Sequence, residues 1–284
     1  MHQRRDGFSL LEITIVLSIV AMLAATLLAA NSLKRSSQMQ AVMSEYQLYA
    51  AAIKNFRTKY HALPGDFAGA QALWGSATAC PVGGTVTGTQ TCNGDGDGFI
   101  EFDAVPNYEH LGAWRHLGLS GFISQNFTGN TFGSGTCNID IKPGQTSPAS
   151  KLEGAVWNVG VNRSGTTYTT SNAGSAGDLD DMYFPLSAAT DMPSVHALWL
   201  GGALQDDSGQ AASCSHSQIP VFTGSEAFEV DMKFDDAQAT SGKIRSQYNN
   251  TAAYQTCENA SSPKGGYRTD ATGMNCALVF LFEQ

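Results

Sequence analysis

The sequence predicts an α+β fold, a long N-terminal helix packed on a loop-rich head built from antiparallel strands. Three observations carry that prediction. Residues 8–60 hold an unbroken apolar run that passes into an apolar stripe spaced by threes and fours. Beyond Tyr60 come short segments with strand-like patterning, separated by stretches rich in Gly, Ser, Thr and Asn. All six cysteines lie C-terminal to the apolar run, where an oxidising compartment would let them pair.

The 284 residues are 42% hydrophobic and only 14% charged, enough chain to bury a sizeable core. No Gly period is present, which excludes a collagen-like assembly. The formal net charge of −9 is concentrated beyond Tyr60, while residues 8–60 are net basic. An acidic head excludes nucleic acid as a partner, because that surface needs clustered Lys and Arg.

Phe8–Ala30 is a 23-residue stretch in which Glu12 is the only charge. About 20 apolar residues span a bilayer, so the stretch predicts a single transmembrane pass. A secretory signal would be shorter and would end at a small-residue cleavage site, whereas this chain runs on to Lys34 and Arg35. Arg4 and Arg5 precede it and favour a cytoplasmic N-terminus, with the head on the far side.

The helix continues through Met39, Val42, Tyr46, Tyr49, Ile53, Phe56 and Tyr60, one apolar stripe. Packing against the chain's own head explains the stripe; a coiled-coil partner is the alternative. Leu63-Pro64-Gly65-Asp66 stops the helix, since Pro removes a donor and biases its predecessor away from helical angles. The predicted organisation is therefore residues 1–7 as a leader, 8–30 as the membrane half of the helix, 31–62 as its amphipathic half, and 63–284 as the head.

Glu12 requires an explanation, because a carboxylate in a membrane helix costs free energy unless paired or at the interface. Its place in the first turn suits an anion through the helix dipole. Alternatively, cleavage between Gly7 and Phe8 would create an α-ammonium that could pair with Glu12 of a neighbouring subunit.

Arg4-Arg5-Asp6-Gly7 followed by Phe8-Ser9-Leu10-Leu11-Glu12 and the apolar run resembles the class III leader of type IV pilins and type II secretion pseudopilins. The likeness covers about the first thirty residues. Leu63-Pro64-Gly65-Asp66, Ala113-Trp114-Arg115-His116-Leu117, and Asp231-Met232-Lys233-Phe234-Asp235-Asp236 with Gly242-Lys243 look like a large-headed subset, although Ala237 stands where that pattern leads one to expect Gly. The resemblance implies a pilin-like fold, cleavage after Gly7 by a prepilin peptidase, N-methylation of Phe8, and assembly with other pilin or pseudopilin subunits through Glu12. It further implies an inner-membrane protein with a periplasmic head that later enters a filament. A minor subunit of a pilus-like filament is the first expectation. A type II secretion pseudopilin, or a filament-borne adhesin or ligand-binding module, is the alternative.

In the head, Glu109–Leu119 reads as a short helix that ends near Gly121. Strands are expected at Ala155–Val161, Val195–Leu200, Phe228–Phe234, Lys243–Ser246 and Ala277–Phe282. Phe228, Val230, Met232 and Phe234 alternate with polar residues, which makes that segment the clearest strand pattern. Thr128–Ser150 and Asn162–Gly177 read as loops.

Six cysteines allow fifteen pairings. Proximity favours Cys80–Cys92 and Cys257–Cys276, which leaves Cys137–Cys214, and the connectivity stays open. Zinc finds no C-x-x-C, only Cys214-Ser215-His216.

Asn93-Gly94-Asp95-Gly96-Asp97-Gly98-Phe99-Ile100-Glu101 fits the first nine positions of a calcium loop. Asn93, Asp95 and Asp97 would supply oxygens, Gly98 the sharp turn and Phe99 a backbone carbonyl. Position 12 is Ala104 rather than the usual Glu, so Glu101, Asp103 or Glu109 would have to complete the shell. Calcium is the expected cofactor; an Asp/Gly-rich turn without an ion is the alternative.

Enzymatic function finds little support. The sequence has no G-x-S-x-G elbow, no phosphate-binding Gly-rich loop and no H-E-x-x-H. His110 and His116 are expected to be structural, and the chain is read as a structural subunit rather than an enzyme.

Overall fold

A computed structural model describes residues 9–77, 80, 88–100, 109–129, 141–162, 195–203, 217–246, 257–258 and 266–282. Gly7, Phe8, Glu101, Asp103, Cys137 and Cys214 lie outside the described residues.

Helix α1 (Leu10–Tyr60) is continuous over 51 residues, a rod of about 77 Å. Ser9 caps its start: Ser9 Oγ accepts from the Leu11 amide at 3.3 Å, and Glu12 Oε2 accepts from the Ser9 amide at 2.9 Å. It ends at His61, whose left-handed backbone (φ 56°) returns its amide to the Arg57 carbonyl at 2.9 Å. Among the described residues, α1 is the one helix long and apolar enough to cross a membrane.

The helix has two different halves. Leu10, Leu11, Ile13, Ile15, Val16, Leu17, Ile19, Val20, Met22, Leu23 and Leu27 are all exposed, on every side of the rod. From Val42 onward the predicted stripe packs against the chain's own head. Val42, Tyr49, Ile53 and Phe56 are buried, and Met39, Tyr46 and Tyr60 pack at their margin. Tyr49 meets Trp114 and Trp157 edge-on at 5.1 and 5.8 Å, a preferred arrangement for aromatic rings.

After α1 come the one-turn α2 (Ala70–Trp74) and the buried α3 (Glu109–Leu119). Strands β1 (Ala155–Asn162), β2 (Val195–Ala203), β3 (Ser217–Ile219), β4 (Ile244–Ser246) and β5 (Leu278–Leu281) form one antiparallel sheet in the order β1-β2-β5-β4. Strand β3 pairs with β2 at Gly202 and Ala203, beyond the stretch that β5 occupies. One sheet face carries Trp157, Val159, Leu198, Leu200, Leu278 and Phe280 into the core shared with α1. The other carries Ala197, Trp199, Val279 and Leu281, which are buried as well. Burial on both faces explains why β5 reads as continuously apolar rather than alternating.

One predicted strand is overturned. Phe228–Phe234 belongs to helix α4 (Gly224–Phe234). Its start is fixed by a capping box in which Thr223 Oγ1 accepts from the Glu226 amide at 3.2 Å and Glu226 Oε2 accepts from the Thr223 amide at 2.9 Å. Its buried face is Ala227, Val230 and Asp231, a helical spacing, while Met232 and Phe234 are 52% and 47% exposed. The alternation in sequence was a coincidence of two exposed hydrophobes with one buried and one half-buried. Neither α2 nor β3 was expected.

Polar anchors hold α1 on the head. Glu45 is buried and accepts from Ser150 Oγ at 2.6 Å, the Lys151 amide at 2.8 Å and Trp157 Nε1 at 2.8 Å. Tyr46 donates to the Leu281 carbonyl at 2.9 Å. The Lys34–Glu153 pair at 2.8 Å is exposed on both sides and contributes little. Disulfides join Cys80 to Cys92 and Cys257 to Cys276, both as proximity favours.

Candidate functional site

Two features stand out for function: the bare apolar half of α1, and an acidic loop where α1 enters the head.

The second begins at the helix stop. Gly65 takes a left-handed backbone (φ 92°), and a Cβ there would lie 2.3 Å from the Glu109 carbonyl oxygen, so the turn presses on the start of α3. His116 of α3 ties the region together. Its Nδ1 accepts from the Gly65 amide at 2.9 Å and its Nε2 lies 3.1 Å from the Cys92 carbonyl, which assigns the proton to Nε2. Complete burial pushes His116 down to about 4, reinforced by neighbouring Arg115 against the opposing Cys92 bond. Arg115 itself donates to the carbonyls of Gln90, Phe127 and Gly88 at 2.8, 2.6 and 2.8 Å, and so holds the approach to the acidic loop.

That loop lies on the Leu63–Asp66 turn. A Cβ on Gly94 would sit 2.3 Å from the Asp66 Cα, so only glycine permits the approach. Asn93 Oδ1 accepts from the Gln71 amide at 2.7 Å, in the first turn of α2. Asp95 Oδ1 accepts from the Asp97 amide at 3.0 Å, and Asp97 Oδ1 from the Phe99 amide at 2.9 Å. Glu109 Oε1 accepts from the Asp95 amide at 3.0 Å. Ile100 is fully buried; its amide donates to His196 Nε2 at 3.1 Å and its carbonyl accepts from the Val161 amide at 2.8 Å, which fastens the loop to β1 and β2.

Asn93, Asp95, Asp97, Phe99 and Glu109 are thus brought into one neighbourhood. The residue that sequence reasoning missed is Asp66. One carboxylate oxygen each of Asp66, Asp95 and Asp97 lie within 4.8 Å of one another, an arrangement that could hold a metal ion. Asp66 is only 2% exposed; its Oδ2 accepts from the Gly98 amide at 3.1 Å, and its buried Oδ1 accepts no hydrogen bond. Burial, with Asp97 and Asp95 nearby, pushes the Asp66 carboxyl up to about 6 against the pull of the Gly96 and Gly98 amides. The available signal was the Asp that ends Leu63-Pro64-Gly65-Asp66, which read only as a helix stop.

A second acidic group, Asp231, Asp235 and Asp236, is differently built. Asp231 accepts from the Ala237 amide at 3.1 Å and from Tyr267 Oη at 2.9 Å. Asp235 Oδ2 accepts from the Lys243 amide and from the Ile244 amide at 2.9 Å. Asp236 accepts from the Gln238 amide at 2.9 Å and from Ser241 Oγ at 2.6 Å. Both oxygens of Asp231 and of Asp236, and Oδ2 of Asp235, are used in clasping the turn between α4 and β4.

No family model, no curated protein and no solved structure matches the chain.

Proposed function

We propose that the chain is a structural subunit, of the minor kind, in a type IV pilus-like filament, cleaved after Gly7 and assembled through its N-terminal helix. The observation that carries this reading is the division of α1. Residues 10–27 are exposed throughout, with apolar side chains on every side of the helix, while the same helix from Val42 onward is built into the head's core. A helix that is apolar all round needs a non-aqueous surrounding, either lipid or other helices of its kind. A rigid rod joining such a segment to a folded head suits a subunit that waits in the inner membrane, head in the periplasm, and then moves into a helix-packed shaft. The leader-like residues Arg4–Glu12 supply the processing site this requires.

Glu12 fits both roles available to it. It caps its own helix through the Ser9 amide, and in the assembled state its carboxylate would pair with the Phe8 ammonium of a neighbour, in a surrounding of low dielectric. The experiment is to express Glu12→Ala in a cell that assembles the filament. Leader cleavage and membrane insertion are retained and filament entry is lost. Normal incorporation of Glu12→Ala would leave only the capping role and would remove the assembly reading.

A further inference from the structure

We propose that Asp66, Asp95 and Asp97 bind a calcium ion at the joint between the end of α1 and the head. The inference is independent of the filament reading. Its basis is Asp66 Oδ1: a carboxylate oxygen buried among protein atoms, without any hydrogen bond, in a side chain that is 2% exposed and converges with two further carboxylates. A buried polar atom without a partner costs free energy, and three carboxylates without a cation repel one another. A hard cation removes both costs at once.

The donor set favours calcium. Carboxylates from a loop and a turn suit its irregular shells of about six to eight oxygens completed by water, whereas magnesium demands a near-ideal octahedron and gives up its waters reluctantly. The loop is also prepared before an ion arrives. Asp95 Oδ1 and Asp97 Oδ1 are held by backbone amides, Gly94 lies against the Asp66 backbone, and the Cys80–Cys92 disulfide fixes the loop's entry. Asn93 and Glu109 then act as supports, tying the loop to α2 and α3, and Asp66 supplies the carboxylate that position 12 lacks. With the ion in place, the helix stop, the disulfide loop and the start of α3 become one unit.

The test uses the full chain in detergent micelles, with calcium chloride titrated calorimetrically and thermal melting followed in calcium, in magnesium and in EGTA. The wild type is expected to bind one calcium per chain at this loop and to melt higher in calcium than in EGTA. Asp66→Asn is expected to bind calcium at least tenfold more weakly and to lose the rise in melting, yet in EGTA to melt at or above the wild type, because a neutral side chain no longer repels Asp95 and Asp97. A residue with a merely structural role would lower melting in EGTA. Should Asp66→Asn fail to fold, the exposed pair Asp95→Asn with Asp97→Asn decides: it is expected to keep its melting in EGTA and lose the response to calcium. A calcium response unchanged in either variant, no calcium binding by the wild type, or an equal response to magnesium would overturn the assignment.

Discussion

Arg35 of α1 grips Glu226 of α4 with two parallel hydrogen bonds, Nε to Oε1 at 2.7 Å and Nη2 to Oε2 at 2.8 Å, and Nη2 also reaches the Val221 carbonyl at 2.6 Å. The same Glu226 carboxylate accepts the Thr223 amide that opens α4. One ion pair therefore docks the long helix on the head at the point where its bare apolar half ends, and starts a second helix. Burial alone would raise the Glu226 carboxyl, but the bonds from Arg35 and Thr223 hold it below the usual range.

Removing that grip should be measurable. Arg35→Ala is expected to cost about 1–2 kcal/mol, and a double-mutant cycle with Glu226→Gln should show coupling of about 1 kcal/mol. Because the folded carboxyl is held low, this contribution is fully present above the unfolded value of 4.5 and is lost as pH falls below that, through the lower value of the folded carboxyl. Denaturant midpoints of wild type and Arg35→Ala should therefore converge at low pH. Equal differences at pH 7 and pH 3 would show that the ion pair contributes nothing.

Ala237 holds a left-handed backbone, φ 61°, directly after the acidic pair Asp235-Asp236. That conformation costs an L-residue about 1–2 kcal/mol, and glycine gives back about 0.5–1 kcal/mol through its freer unfolded chain. Ala237→Gly is expected to stabilise the head by about 0.5–1 kcal/mol, read as a raised denaturant midpoint. A lowered midpoint would mean that the methyl group contributes packing that outweighs the strain.

His116 should stay neutral far into acid. The unfolded ring takes up a proton near 6.5 and the folded one only near 4, so the site opposes folding increasingly as pH falls between those values, by on the order of 3 kcal/mol in full. Asp231 works in the other direction over part of the same window. Burial raises its carboxyl to about 6, so the folded state gains its proton first and is favoured as pH falls towards 3.8. Total stability therefore mixes the two signs, and a site-resolved measurement is needed. The His116 ring resonance in an NMR titration should show a midpoint near pH 4; a midpoint near 6.5 would place the ring in water.

Much of the scaffold was legible because burial repeats along the chain. The stripe from Met39 to Tyr60 found its core, and four of the five strands fall where the sequence places them, three of them (β1, β2 and β5) on largely apolar segments that the sheet buries. Two disulfides joined the cysteines nearest in sequence. Legibility failed where a short element is decided by its ends. In α4 the alternation of Phe228, Val230, Met232 and Phe234 concealed a helix, although Thr223 and Glu226 already spelled a capping box. Strand β3 is three residues long and is recruited by β2, with no pattern of its own. In the acidic loop the local Asp/Gly pattern, Asn93 to Phe99, was visible. Asp66 was not, because the contact depends on how the helix stop folds back on the loop, and no spacing rule reaches across that distance.

The central claim is that the helix which leaves the head uncovered over residues 10–27 is a processed assembly helix. Its most direct test is the intact mass and N-terminal fragmentation of the chain extracted from the membranes of a cell that carries prepilin peptidase. The predicted result is a chain beginning at N-methylated Phe8, with Gly7→Leu retaining residues 1–7. A membrane-extracted wild-type chain that still carries Met1–Gly7 would contradict it.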